Sequence, residues 1–268
     1  MSSCHDLKER RLTIREILSG LLIYESIDLC NTVRKYMETI QSNATLELPQ
    51  ALAIQHFVTS LPNIGRCLAV SWVFASSDHQ AGREFLEKFL EAGPPVLVNT
   101  IESISLEESL KRVPIPCAAW GAQRCVYIRR FSPGLLETFI AATERMPPYS
   151  GINLAWIEIR PDNPSVTRVH AAKATFGATE PHILVSFSYT VEEQEHLKKA
   201  FAWNTALYES LRASGDEALM ESSYVSLTNP NDRTTEQMFG NKWEDVKALK
   251  TKYDPNGVYR LAVPQIMT

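Results

Sequence analysis

Segments that favour β-strands lie next to one another along this chain instead of alternating one by one with helices. They are apolar or alternating stretches rich in branched and aromatic residues, bounded by turn residues. The clearest pair is Leu52–Ser60 and Cys67–Ala75, joined by the turn Leu61–Gly65. Strands in adjacent groups indicate a largely antiparallel sheet. The other predicted strands are Arg124–Phe131, Asn153–Arg160, Val166–Ala174 and Ile183–Tyr189.

Segments with the periodicity of helices lie between these groups of predicted strands. Ser26–Ile40 carries one apolar stripe at spacings of three and four, whereas Leu12–Tyr24 fits either a strand or a short helix. An α+β fold follows, with helices on one face of the sheet, so the other face needs a partner surface or encloses a pocket. We expect a single domain over residues 1–268. The remaining predicted helices are Asp78–Ala92, Ser132–Met146, a helix to Ala213 opened by a Thr190/Glu193 capping box, and Asn241–Lys252.

The composition of the chain argues against several classes of protein. The net charge of −4 and the absence of a long basic run argue against nucleic-acid binding, which needs cations to displace counterions. Five scattered cysteines without metal-ligand spacing favour a reducing compartment. No apolar run approaches the ~20 residues that span a bilayer, and the N-terminus does not look like a secretory signal. We therefore expect a cytoplasmic protein without nucleic-acid, membrane or metal partners, as a monomer or a homodimer.

The C-terminal part, about residues 221–262, carries the recognisable motifs. They are Ser223-Tyr224-Val225-Ser226-Leu227, then Phe239-Gly240-Asn241-Lys242-Trp243, then Leu249-Lys250-Thr251-Lys252-Tyr253-Asp254-Pro255-Asn256-Gly257-Val258-Tyr259. This tail resembles that of the berberine bridge enzyme-like flavin oxidases of the vanillyl-alcohol oxidase group. The resemblance implies the substrate domain of that family, from about Leu21 onward, and a substrate from a polyketide or terpenoid pathway.

The chain departs from the family's pattern in two places, and both concern residues that bind the flavin in that family. The 11 glycines are spread along the chain, so no Gly-rich loop can cradle phosphates, and no segment resembles the family's flavin-attachment motif. Where the family has an asparagine against the flavin, this chain has Ser226. These features predict an independent chain that lacks the FAD-binding domain and uses no cofactor; FAD would be used only if the chain were a flavin oxidase after all.

Candidate site residues come from strand faces that mix polar and bulky side chains. Four residues are predicted to act in catalysis, as hydrogen-bond donors or acid–base groups: Tyr127, Arg129, Glu158 and His170. The resemblance places the family's glutamate base near 154–156, which is apolar here, and Glu158 is the nearest acid. Arg129 and Glu158 could instead form a solvated ion pair. The predicted substrate-binding residues are Gln55, Phe57, Trp72, Phe74, Trp156, Ser186, Ser188 and Tyr224. For Trp72 and Phe74 the alternative is a position in the hydrophobic core.

Three functions remain open at this point. The first is a cofactor-free cyclase or isomerase of natural-product biosynthesis, such as a Diels–Alder-type pericyclase, that holds a hydrophobic substrate in a near-attack geometry. The second is a non-catalytic small-molecule-binding protein, or a subunit that completes a flavoprotein in trans. The third is an FAD-linked oxidoreductase of which this chain is a fragment.

Overall fold

The structure, a computed structural model, describes residues 15–24, 27–41, 46–112, 120–160, 180–229, 232–258 and 266. Within these ranges, strands form one sheet in the order β4-β1-β3-β2-β7-β8-β6, and β5 pairs with β1 beside β4. Every registered pair is antiparallel, which confirms the predicted sheet type. The strands are β1 (Glu16–Tyr24), β2 (Leu52–Leu61), β3 (Gly65–Phe74), β4 (Val96–Asn99), β5 (Glu102–Ser105), β6 (Trp120–Ile128), β7 (Ile152–Ile159) and β8 (His182–Val191).

The helices agree with most of the predicted ones. The capping box predicted at Thr190 is wrong, because Thr190 belongs to β8 and the next helix follows Glu193, whose side chain makes no cap hydrogen bond. The capping box of the described chain lies instead at Thr234 and Gln237. The helices are α1 (Leu29–Tyr36), continued by a π-helical turn (Met37–Gln41), α2 (His79–Ala92), α3 (Leu106–Lys111), α4 (Pro133–Arg145), α5 (Gln194–Ala213), α6 (Thr235–Phe239) and α7 (Trp243–Tyr253).

Four helices, α1, α2, α4 and α5, cover one face of the sheet. The alternation of side chains along each strand gives this face the apolar residues of the main core. Leu18, Val70, Leu154 and Val185 lie there, each no more than 1% exposed. The predicted arrangement of helices on one face is therefore confirmed, and the opposite face carries the other set of alternating side chains.

Three predicted substrate-binding residues lie in this core, so their assignment is wrong. Trp72 and Phe74 of β3 belong to the helix-covered face, where Trp72 packs against Phe85 and Phe89 of α2. Trp156 of β7 is 2% exposed on the same face. A strand's sequence shows that two sets of side chains alternate, but bulky residues occur on both faces. The face covered by helices could only be decided from the packing.

Two further segments cover the edges of the opposite face. Helix α3 contacts β1 there, with the hydroxyls of Ser19 and Ser109 3.1 Å apart. At the other edge, residues 218–220 run antiparallel to the end of β6, where the Met220 amide donates to the Tyr127 carbonyl at 2.9 Å. Met220 then packs with Tyr127 and Leu184. The middle strands β3, β2, β7 and β8 remain between these two covers.

The buried His56 should make the fold sensitive to acid. Its ring stacks on Trp156 with centroids 4.8 Å apart, and Nδ1 lies 3.2 Å from the Trp156 carbonyl. Burial lowers the pKa of His56 from 6.5 to about 4, so folding favours the neutral ring. The unfolded chain therefore binds more protons below pH 6.5. The stability contributed by neutral His56 is complete above pH 6.5 and should fall by roughly 3 kcal/mol once the pH is below 4.

Carboxylates also titrate in this range, so the measurement is a difference between two proteins. Urea unfolding of wild type and His56→Asn between pH 7 and pH 4 should show wild type losing its advantage as the pH falls. A difference in the free energy of unfolding that does not change with pH would contradict this account.

Candidate functional site

The open face, defined as the side of β3, β2, β7 and β8 opposite α1, α2, α4 and α5, brings side chains of four neighbouring strands together. Cross-strand pairs place its residues side by side: Phe57 lies between Ala69 and Ala155, and Ala155 is opposite Ser186. Directly opposite residues on neighbouring strands have Cβ atoms about 5 Å apart. A small molecule lying on this face would thus touch several strands at once. The central part of the open face comprises Gln55, Phe57, Ala69, Ser71, Asn153, Ala155, Ile157, Leu184, Ser186 and Ser188.

The chemistry of the open face is neutral. All ten residues of its central part are uncharged, with Phe57, the two alanines and Ile157 beside amides and hydroxyls. The polar groups also come in cross-strand pairs, Gln55 with Ser71 and Asn153 with Ser188. Phe57, Ser186 and Ser188 are partly exposed and Gln55 is exposed, so they are accessible to a ligand. Such a surface suits an uncharged, flat, oxygenated molecule.

Residues of the C-terminal segment border the open face beside β6. Tyr127 is only 1% exposed, and burial raises the pKa of its phenol. Cys125 Sγ lies 3.6 Å from the Tyr224 carbonyl and the same distance from Thr228 Oγ1. Tyr224 itself is 38% exposed, and Ser226, in the following 3₁₀ turn, is also exposed. Tyr224 is therefore accessible at this edge, whereas Tyr127 is covered.

A cleft of about 300 Å³ lies at the strand ends, where β6, β7 and β8 meet α1 and α4. It brings together two predicted catalytic residues, Arg129 and Glu158. Arg129 forms its ion pair with Glu180, at 3.2 Å, and not the predicted solvated pair with Glu158; both partners are about half exposed. The cleft is lined by Met37, Glu38, Arg129, Arg130, Phe131, Leu136, Glu158, Ile159, Pro181, His182 and Ile183.

His182 is a member of this cleft that the sequence did not single out as a site. It is the first residue of β8, is 4% exposed, and its ring lies 4.3 Å from that of Tyr127. Its Nδ1 is 2.7 Å from the Glu180 carbonyl. Burial lowers the pKa of His182, which favours the neutral imidazole. A proline before a strand that starts with histidine was the available signal, and it is too weak to identify a site.

The structure thus separates the predicted residues into groups. Gln55, Phe57, Ser186 and Ser188 share the open face, and Arg129 and Glu158 share the cleft. His170 and the predicted strand Val166–Ala174 lie outside the described residues.

The described residues do not fit the phosphates of a flavin dinucleotide. Anions bind at helix N-termini whose amides are free and at turns where glycines cluster. In α1, α2, α3, α4 and α6 the N-cap side chain already accepts a hydrogen bond from one amide of the first turn. Helix α7 has no such cap, but its first turn carries Glu244 and Asp245, which repel an anion. Helix α5 follows Glu192 and Glu193, which repel an anion. The closest two glycines of the whole sequence, Gly82 and Gly93, are 11 residues apart (93 − 82).

No helix within the described ranges combines the length and the apolar character that crossing a membrane requires.

Comparison with known proteins finds similar proteins by sequence and by structure. No protein-family model matches the chain. The FAD-linked oxidoreductase aurO of Gibberella zeae is 25% identical over 251 residues, a match that covers 91% of this chain and 46% of that protein.

Solved structures share the fold at low sequence identity. The Physcomitrella patens BBE-like 1 protein superposes with a TM-score of 0.69 at 11% identity, over 90% of this chain and 52% of its own. GilR, an oxidoreductase that catalyses the terminal step of gilvocarcin biosynthesis, gives 0.71 at 12% identity, over 90% and 54%. Glucooligosaccharide oxidase from Acremonium strictum, an FAD enzyme, gives 0.69 at 12% identity, over 90% and 53%. The chain spans about half the length of these proteins. It therefore has the fold of about half of a berberine bridge enzyme-like flavoenzyme, and its sequence is similar to that of an FAD-linked oxidoreductase.

Proposed function

We propose that this chain supplies the substrate-binding surface of an oxidoreductase of small-molecule biosynthesis, with the open face holding an uncharged, flat, oxygenated substrate. The observation that carries the proposal is the neutral row of side chains across three adjacent strands, in which the partly exposed Phe57 and Ser186 flank the buried Ala155. Apolar contact with Phe57 and Ile157 would bind the rings, and the amides and hydroxyls would orient their oxygens. The similarity to aurO, an FAD-linked oxidoreductase, supports the reaction class, and the fold shared with GilR, which acts in gilvocarcin biosynthesis, supports a biosynthetic role.

Any FAD that takes part in this reaction would be held by residues outside this chain, in a longer polypeptide or in a partner. The reason is the absence of a phosphate site in the described residues and the wide spacing of glycines in the sequence. In such an assembly the chain would bind, orient and shield the substrate. When the purified chain is mixed with FAD and passed over a gel-filtration column, the flavin should elute in the small-molecule fractions, apart from the protein. Retention of FAD by the chain alone would contradict this part of the proposal.

Blocking the middle of the open face tests substrate binding. Ser186 is partly exposed, and an indole at this position would cover Ala155 and Cys125, its cross-strand neighbours. We expect Ser186→Trp to weaken binding of the probe 1,8-dihydroxynaphthalene at least tenfold, measured by titration calorimetry, because a flat ring can no longer contact the sheet.

The matched control is Ser210→Trp, since Ser210 is exposed on α5, away from the open face. This variant should bind the probe as wild type does. Equal affinity in Ser186→Trp and Ser210→Trp would contradict the proposed surface. Cellobiose serves as a second probe; tighter binding of cellobiose than of the naphthalene diol would indicate a carbohydrate substrate instead.

A cofactor-free cyclase or isomerase is the second candidate. The observation that favours it is the cleft, where Arg129, His182 and Glu158 place cationic, neutral and acidic groups around one volume. These groups could polarise a carbonyl or transfer a proton without a redox partner. Turnover of a reactive enone by colourless protein, without added flavin, would favour this candidate over the first.

A further inference from the structure

His182 lines the cleft with one of its two ring nitrogens already engaged. The Glu180 carbonyl, 2.7 Å from Nδ1, can only accept a hydrogen bond, so Nδ1 must carry a proton. In the neutral ring the other nitrogen, Nε2, is then an unprotonated acceptor. His182 is 4% exposed, and no described residue forms a hydrogen bond with Nε2. Because His182 lines the cleft, this nitrogen can accept a hydrogen bond from a ligand or a water molecule bound there.

The surroundings of His182 keep the ring neutral and fixed. The Tyr127 ring packs against it at 4.3 Å, and its cross-strand neighbour on β7 is the apolar Ile159. The charged groups around the cleft are balanced, with Arg129 and Arg130 opposite Glu38 and Glu158, while Arg129 also pairs with Glu180. The backbone hydrogen bond fixes the tautomer, and the tilted Tyr127 ring packed against the imidazole fixes its orientation.

We propose that Nε2 of His182 is a proton acceptor for a weakly acidic hydroxyl group, a phenol or an enol, bound in the cleft. The O–H bond of the ligand breaks, the proton forms an N–H bond on Nε2, and the electron pair of the broken bond stays on the ligand oxygen. Arg129, which lines the same cleft, offsets the charge of the resulting oxyanion. The cleft volume of about 300 Å³ suits a single aromatic ring.

The first test is the protonation state of the ring in the unliganded chain. Nitrogen NMR of the full chain, labelled with ¹⁵N and ¹³C and assigned sequentially on the wild type, should show His182 Nδ1 protonated and Nε2 unprotonated at neutral pH. A protonated Nε2 beside a bare Nδ1 would overturn the proposal. This measurement needs only the wild-type protein to be folded.

The second test uses 4-nitrophenol, which is colourless when neutral and yellow as the phenolate. In buffer below the pKa of the free phenol, wild type should bind it and produce the yellow form. His182→Asn keeps a side-chain amide that can donate to the Glu180 carbonyl but has no Nε2, so it should bind about tenfold more weakly and without colour. The control His196→Asn removes a surface histidine of α5 and should behave as wild type.

Two results would overturn the proposal here: no binding of 4-nitrophenol by wild type, or equal colour with His182→Asn. The proposal does not depend on the open face. Ser186→Trp should still turn 4-nitrophenol yellow, so failure of the open-face proposal and failure of this one are distinguishable.

Discussion

Replacing Asp232 with alanine is expected to destabilise the protein by about 3–5 kcal/mol, because it leaves a buried guanidinium without its counter-ion. Arg124 Nε lies 2.6 Å from Asp232 Oδ2, and the two side chains are 11% and 8% exposed. Arg124 also donates to Asn204 and Thr205 and lies over the Tyr208 ring. This network ties the C-terminal segment and α5 to β6. Urea unfolding at pH 7 measures the loss.

Two controls separate burial from charge. Glu217→Ala removes an equally short ion pair with Arg130, whose side chains are 82% and 60% exposed, and should change stability little. The double variant Arg124→Met with Asp232→Leu should recover much of the loss, since neither partner remains to be desolvated alone. A loss for Asp232→Ala no larger than that for Glu217→Ala would contradict the role of this pair.

Gly151→Ala is expected to cost about 2–4 kcal/mol. Gly151 has a φ of +82°, and a Cβ there would lie 2.2 Å from the Thr190 carbonyl oxygen. The added methyl group therefore combines a disfavoured backbone conformation with a clash against the backbone of β8. Because Thr190 donates to the Gly151 carbonyl at 2.9 Å, relieving the clash would also disturb the β7–β8 pairing.

The control for this prediction is Gly215→Ala. Gly215 has a φ of +60°, but a Cβ there meets nothing within 4 Å. It should cost only about 1 kcal/mol, the price of the left-handed backbone alone. Thermal or urea unfolding of the two variants gives the difference; similar losses would show that contact with Thr190 contributes nothing.

The sequence predicted the sheet well where strands were long and bounded by clear turns. The hairpin of β2 and β3 and the strands β7 and β8 occur close to their predicted bounds. The sequence did not predict strands β4 and β5 or helix α3, because a repeat of apolar residues cannot be recognised over only four to six positions. The predicted helix Asn241–Lys252 occurs as α7, which buries Val246 and leaves Leu249 43% exposed.

The site was harder to predict than the fold. The alternation of side chains along each strand correctly placed Gln55 with Phe57, and Ser186 with Ser188, on one face. It could not decide which face the helices cover, so it did not separate these residues from Trp72, Phe74 and Trp156 of the core. His182 owes its chemistry to a backbone carbonyl two residues away and to a tyrosine on another strand. Neither contact leaves a motif in the sequence.

The central claim is that the open face holds the substrate. Amide chemical-shift mapping of the full chain with 1,8-dihydroxynaphthalene tests it most directly. The account predicts that the largest shifts fall on β2, β7 and β8 around Phe57, Ala155 and Ser186. Shifts confined to α1, α2, α4 and α5, on the covered side of the sheet, or no shifts at saturating probe, would contradict it.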